Sequence, residues 1–447
     1  AAPEQGNVLG HPKGYHEPRI PVFLPVLALL GIVYASFIPF EIRPRSLDQA
    51  WHIFRHMPYL DLGVESRADW VANLLLYARL ASQRSSFQAK ALHGLTVLGF
   101  GAAMAIGIEF GQTFFAPRTV SQNDLLAESI GLALGIVVCI LFRRVLLPRL
   151  SALNSGGQEA LTSGLIFYVL AFAMVSLFPF DILISLSELS WKWNSDSVRV
   201  HTLMPDCSLS LRCLVMKAGE MAAAAPFGIL FGLTWGRIHR FRTGAAALLG
   251  LCLGLVVEGL QFFLASGETQ LFSVLTRTVG LMLGAWLGGA GLMIRPETLL
   301  SPRARMILKG LLVMYGAVLV KLSGWLEGQW LSWSTGWASL SAEMFMPFYY
   351  HYFSSEVTAV MSLVANAAMY APFGAFVYLL GMSRGAPRSP MRTAGVLAAA
   401  TAAILESGRL FLPDKHPDYT NVLIAGLSAA LAAGICRWLF SLSNSGS

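Results

Sequence analysis

The sequence predicts an all-α polytopic membrane protein, with about twelve transmembrane helices in three parallel four-helix repeats. Three observations carry that reading. Of the 447 residues, 55% are hydrophobic and only 13% charged, against roughly 25% charged in soluble domains. Apolar runs of about 20 residues, each enough to cross a bilayer, recur along most of the length. Short polar motifs interrupt those runs at matching places in successive thirds of the chain.

In order, residues 1–20 form a polar segment containing His, Pro and Gly, unlike a cleavable signal. The expected spans are 21–40, 68–83, 91–115, 122–142, 161–180, 214–235, 243–265, 270–293, 307–326, 357–380, 393–412 and 421–440. Residues 441–447 form a tail. The units are then 21–147, 160–294 (the most degenerate) and 305–440.

Charge sets the expected orientation. Lys and Arg concentrate before the first span and after the even-numbered ones, as at Arg79, Arg143, Arg144, Arg237, Arg240, Arg303, Arg305, Arg384 and Arg388. The acids on that side are Glu4, Glu17, Glu159 and Glu297; the others lie opposite. The positive-inside rule therefore assigns both termini to the cytoplasm of a cell whose inner, cytoplasmic membrane holds the chain. The net charge of +7 is topological information. No basic patch is interleaved with base-stacking aromatics, so nucleic acid is excluded as a partner.

The repeats rest on motifs. Glu109-x-x-Gln112 recurs as Glu258-x-x-Gln261 and as Glu406-x-x-Arg409. Without gaps, Arg118, Ser121, Asp124 and Gly131 correspond to Gly267, Gln270, Ser273 and Gly280, then to Lys415, Asp418, Asn421 and Ser428. Upstream, Asn73-x-x-x-Tyr77 matches Asn366-x-x-x-Tyr370, and Ala225-Pro226-Phe227-Gly228 matches Ala371-Pro372-Phe373-Gly374. An even number of spans per unit gives every copy the same orientation, unlike the inverted repeats of many transporters.

At these residues the chain resembles the VanZ-like family, named for a protein of glycopeptide-antibiotic resistance clusters. The family pattern joins an Asp-x-x-x-Asn…Tyr stretch, a Glu-x-x-Gln pair and an Arg-x-x-Ser/Asp-x-x-Asp stretch. The first unit matches it at Asp69, Asn73, Tyr77, Glu109, Gln112, Arg118, Ser121, Asp124 and Gly131. It departs at Ala78-Arg79-Leu80, where Pro and Gly are expected. The third unit keeps Asn366, Tyr370, Pro372, Gly374, Glu406, Lys415 and Asp418, with Arg409 and Asn421 replacing Gln and Asp. The resemblance implies an integral membrane protein of the bacterial envelope and no particular activity.

The polar groups suggest specific pairings. Ionisable residues within a membrane mark a functional site unless they satisfy one another. Glu109 and Gln112 share a helical face, and the Arg118 fork is expected to meet a carboxylate, Glu109 or Asp124. Asp124 suits the start of the next helix. Asn73 is expected to hydrogen-bond Glu109 or Gln112, and Pro with Gly in the matching stretches to break the helix locally. Lys217 and Glu220 are spaced to pair, and Arg277 is positioned to face Glu258. The result is either a self-satisfied polar knot or a site for a polar or anionic head group, with Arg118 as the anion contact. Candidate ligand contacts are Asp69, Asn73, Tyr77, Glu109, Gln112, Arg118, Ser121 and Asp124 of the first unit with Asn366, Tyr370, Glu406, Arg409, Lys415, Asp418 and Asn421.

Elsewhere, His52 and His56 lack the further ligands of a metal site, and Trp51 to Tyr59 reads as an interfacial amphipathic segment. The aromatic loop 324–352 reads as an outer-leaflet belt. Cys207 and Cys213 share an outward loop that permits a disulfide. No cofactor or metal is expected. The sequence favours binding or scaffolding of a polar or lipid-linked envelope component, in a surface-glycan, peptidoglycan or exopolysaccharide context. Its expected partners are membrane lipid, a lipid-linked glycan or peptidoglycan precursor, and envelope-assembly proteins. Transport or flipping of an envelope precursor is the alternative. An intramembrane enzyme using Glu109 and Asp124 ranks last.

Overall fold

A computed structural model describes residues 23–60, 63–82, 91–153, 156–195, 197–199, 211–235, 242–289, 301–326, 328–354, 356–382, 389–413 and 415–444. The chain is predominantly helical. Its first third contains α1 (Phe23–Phe37), α2 (Leu47–Arg55), α3 (Val64–Ser82), α4 (Ala91–Gln112) and α5 (Gln122–Ala152). The second contains α6 (Gly157–Leu177), α7 (Leu186–Trp193), β1 (Val198–Arg199), α8 (Leu211–Trp235), α9 (Arg242–Phe262), β2 (Thr269–Gln270) and α10 (Leu271–Gly289). The last contains α11 (Pro302–Leu322), α12 (Trp333–Ala338), a 3-10 turn (Ala342–Phe345), α13 (Tyr349–Tyr352), α14 (Glu356–Met382), α15 (Pro390–Arg409) and α16 (Thr420–Asn444).

Every predicted span falls on one of these helices. Among the described residues, five helical stretches are long and apolar enough to cross a membrane: Glu159–Leu177, Thr243–Phe262, Leu271–Gly289, Thr358–Met382 and Thr420–Ser441. Their faces expose many large apolar side chains, such as Leu248, Val256, Leu427 and Leu431, as lipid contact requires. The chain is an all-α membrane protein.

Local chemistry explains where helices start. Ser46 and Gln49 cap α2 reciprocally, and Ser185 with Glu188 does the same for α7, satisfying amides that have no intrahelical partner. Ser121 caps α5 through the Asp124 amide. Pro302, which needs no amide partner, follows the Ser301 cap of α11.

Pairs of helices pack closest where a Cβ is missing. A methyl on Gly131 would sit 2.3 Å from the Leu74 carbonyl oxygen, and one on Gly280 would sit 2.3 Å from that of Met221. Gly135 against Ala78 and Gly284 against Ala225 repeat the contact one turn on. These contacts hold α3 on α5 and α8 on α10, as small residues do in membrane bundles. The expected local breaks at Pro226 and Pro372 do not occur. α8 and α14 continue through them as single helices. Gly228 lies under the Leu281 carbonyl and Gly374 under that of Ala429, so tight packing holds each helix across the missing donor.

Further contacts recur between the thirds. Ile38-Pro39 and Phe178-Pro179 are cis, and Phe40 and Phe180 follow at φ 65° and 66°. Each turn then bridges to the segment after the second long helix that follows it, Ile42 to Phe115 after α4 and Ile182 to Leu264 after α9. β1 and β2 pair in parallel, Val198 with Thr269.

Candidate functional site

The ends of α1, α3, α4 and α5 converge on the polar stretch that the sequence singles out. Gln112, in the last turn of α4, donates through Nε2 to the Ser36 carbonyl at 3.0 Å. Gln261 makes the same bond to Ser176 at 3.1 Å, and Arg409 Nε reaches Ser323 at 3.2 Å. One helix end is thus pinned to another in the same way three times. The carboxylate one turn earlier is buried each time: Glu109 is 2% exposed, Glu258 5% and Glu406 4%.

In the first third, Asp124 is held from two sides. Asn73 Nδ2 donates to Oδ1 at 2.9 Å and Ser121 Oγ to Oδ2 at 2.7 Å. The expected Asn73 bond to Glu109 or Gln112 is therefore replaced by one to Asp124. Asn73 on α3 faces the start of α5, which glycines draw close. The Ser121 amide donates to Glu109.

Arg118 is also placed differently from expectation. Its Nε donates to the Ile38 carbonyl at 3.0 Å and one Nη to that of Ala35 at 2.5 Å. The guanidinium lies 4.6 Å from the centre of the Tyr352 ring. The turn after α1 leaves carbonyls free of helical partners, and these take the donors assigned to a carboxylate. Burial pulls the Arg118 pKa down, against the upward pull of Tyr352, Asp69, Glu109 and Asp124.

A cavity of about 620 Å³ opens among these groups. Asp69, Asn73, Glu109, Gln112, Arg118 and Asp124 line it; Tyr77 and Ser121 do not. Three residues that sequence reasoning missed line it as well. Glu128 sits one turn beyond Asp124 on α5 and is 4% exposed. Its spacing from Asp124 was the available signal. His351 and Tyr352 come from the aromatic loop more than two hundred residues away, which local pattern does not reveal. That loop is anchored over the cavity by Tyr34 Oη to the Pro347 carbonyl (2.8 Å) and by Tyr352 Oη to that of Pro117 (3.4 Å).

Tyr77 is 1% exposed and lies beside Glu128. Among the described residues, Glu109 Oε2 has no hydrogen-bond partner, and Tyr77 Oη and Glu128 Oε2 have none besides each other.

The corresponding glutamates of the other two thirds are internally paired. Arg277 bonds Glu258, the pairing expected from sequence. Lys217 meets Glu220 at 2.7 Å, also as expected, and Thr276 Oγ1 donates to Glu220 at 2.6 Å. In the last third, Arg409 donates to both oxygens of Glu406 at 2.8 and 3.0 Å, and Asn421 Nδ2 donates at 3.0 Å. The Asp418 amide completes that set at 3.0 Å. Asn366 bonds its own helix at Ser362, Tyr370 packs in the core, and Lys415 is exposed. None of these candidates lines the cavity.

His52 and His56 stack at 4.3 Å on α2, and Trp51 and Phe54 pack against Phe110. No group of three metal-ligating side chains occurs among the described residues. The Cys207–Cys213 disulfide that the sequence permits rests on Cys207, which lies outside the described residues.

A protein-family model described as VanZ/LLP1 matches residues 24–143 and 159–290, more than half of the chain. No curated protein and no solved structure matches.

Proposed function

The chain belongs to the VanZ/LLP1 family, and from that premise we propose that it binds a polar or lipid-linked envelope component at the outer face of the bacterial cytoplasmic membrane. In this reading twelve spans form three parallel units, 21–147, 160–294 and 305–440, with both termini cytoplasmic. The charge asymmetry of the loops supports that orientation. It turns the cavity, α2, α7 and the aromatic loop outward. The thrice-used pin from Gln112, Gln261 and Arg409 to a serine carbonyl supports the third unit, which the family model does not match.

The observation that carries the binding reading is the cavity itself. A pure scaffold closes its carboxylates on cations, as the second third does at Glu258 and the last third at Glu406. The first third keeps the same framework yet leaves a space of ligand size beside buried carboxylates. The same geometry weakens the catalytic alternative, because both Asp124 oxygens are already engaged.

The test is to purify the full chain with its surrounding lipid and to identify bound small molecules by mass spectrometry. Ala359→Phe, which fills the cavity wall without changing charge, and Asp69→Asn should each deplete one bound species at least five-fold. Equal amounts of every species in parent and variants would leave the scaffold reading.

A further inference from the structure

The three thirds place a buried glutamate at the same helix end, but only two supply it with a cation. Glu258 has Arg277 and Glu406 has Arg409. Glu109 has neither equivalent. The position of Arg409 is occupied by Gln112, whose amide is spent on Ser36. The position of Arg277 is occupied by Glu128. The register is fixed by packing, because Arg277 precedes Gly280 and Glu128 precedes Gly131 by the same three residues. Those glycines meet the equivalent carbonyls of Met221 and Leu74. Where the second third has a guanidinium, the first has another carboxylate.

Arg118 attracts Glu109 but makes no ion pair with it: its Nε and one Nη turn to the carbonyls of Ile38 and Ala35 and its face to Tyr352. Glu109 and Glu128 therefore line the cavity, Glu109 with Oε2 lacking a partner and Glu128 with no partner for Oε2 besides the Tyr77 hydroxyl behind it. Leaving a buried polar atom without a partner is costly, and no metal-ligating cluster among the described residues takes the place of the missing cation.

We infer that the inner end of the cavity takes a primary ammonium group carried by the ligand. Its three N–H donors suit acceptors converging from α4 and α5, and it supplies to Glu109 what Arg277 and Arg409 supply to the other two glutamates. The inference rests on the binding reading and narrows the ligand to an amine. An aminoethyl phosphate head group and an amino sugar both carry that chemistry.

The experiment uses the full chain in nanodiscs of phosphatidylglycerol, which has no amine. Soluble probes are titrated in two matched pairs: glycerophosphoethanolamine against glycerophosphoglycerol, and glucosamine against glucose. The amine of at least one pair should bind ten-fold or more tightly than its neutral partner, and the better pair identifies the source. Glu128→Arg, which copies Arg277, should fold at least as well as the parent and lose that preference. Glu128→Gln, close to isosteric, should reduce it. Equal binding within both pairs, no binding by any probe, or an undiminished preference in folded Glu128→Arg each overturns the ammonium assignment. The binding reading is judged separately, on the species that copurify.

Discussion

The pair of Arg277 and Glu258 offers the sharpest energetic prediction. The two side chains are 10% and 6% exposed, on α10 and α9 respectively. Replacing Arg277 by Met leaves the Glu258 carboxylate buried with the Gln270 amide as its remaining strong donor, at 2.6 Å. Removing one member of a buried pair typically costs about 3–5 kcal/mol. The retained amide bond puts this case near the lower bound, about 3 kcal/mol, or roughly a hundredfold in the folding equilibrium. Adding Glu258→Gln removes the stranded charge and keeps an acceptor for the Gln270 amide. The double variant should recover most of the loss, because exchanging a whole buried pair is often nearly neutral. The assay is the temperature at which half of the detergent-solubilised protein leaves the monodisperse size-exclusion peak. Arg277→Met should fall furthest, and Arg277→Met with Glu258→Gln should approach the parent. A double variant no more stable than Arg277→Met refutes the reasoning.

Other outcomes follow from single contacts. Gly131→Ala pushes a methyl to 2.3 Å from a backbone oxygen and should cost about 1–3 kcal/mol by overpacking. Gly107→Ala, with nothing within 4 Å, should be neutral or stabilising by up to about 1 kcal/mol; thermal unfolding of the two variants checks both. Glu188 in α7 is held down at about 2, against an ordinary 4.5, first by the Arg67 hydrogen bond and then by the amides of Ile184 and Ser185. A depressed carboxylate stabilises above its unfolded value. This contribution should therefore be full above pH 4.5 and fade as pH falls towards 2. Parent and Glu188→Gln acid-unfolding curves should differ at neutral pH and converge near pH 2. In a cysteine-free background, Thr119→Cys should react with an impermeant thiol reagent added outside intact spheroplasts; labelling only after lysis would reverse the proposed orientation.

Much of this architecture is legible in the sequence, for physical reasons. Lipid demands long apolar runs, so the predicted spans coincide with helices. Buried charge demands partners, so Lys217 with Glu220 and Arg277 with Glu258 can be anticipated from spacing. Backbone acceptors leave no such trace. Ser36, Ser176 and Ser323 receive the recurring pin through carbonyl groups, which any residue carries. For the same reason Arg118 looked destined for a carboxylate. Pro226 and Pro372 read as helix breaks because sequence shows the lost donor but not the neighbouring carbonyl pressed against Gly228 or Gly374. The place of Glu128 near Glu109, equivalent to that of Arg277 beside Glu258, shows only in the packed helices.

The loop around Tyr352 gives the last stretch of the chain a role in the first. Tyr34 and Pro117 grip it through Pro347 and Tyr352, and His351 reaches back to Asp418 at 3.4 Å. A protein cut after residue 290 would retain both family-matched segments and all the acids of the chamber, yet it would lose the lid that encloses them. Separately expressed halves should thus need each other before either can hold a guest.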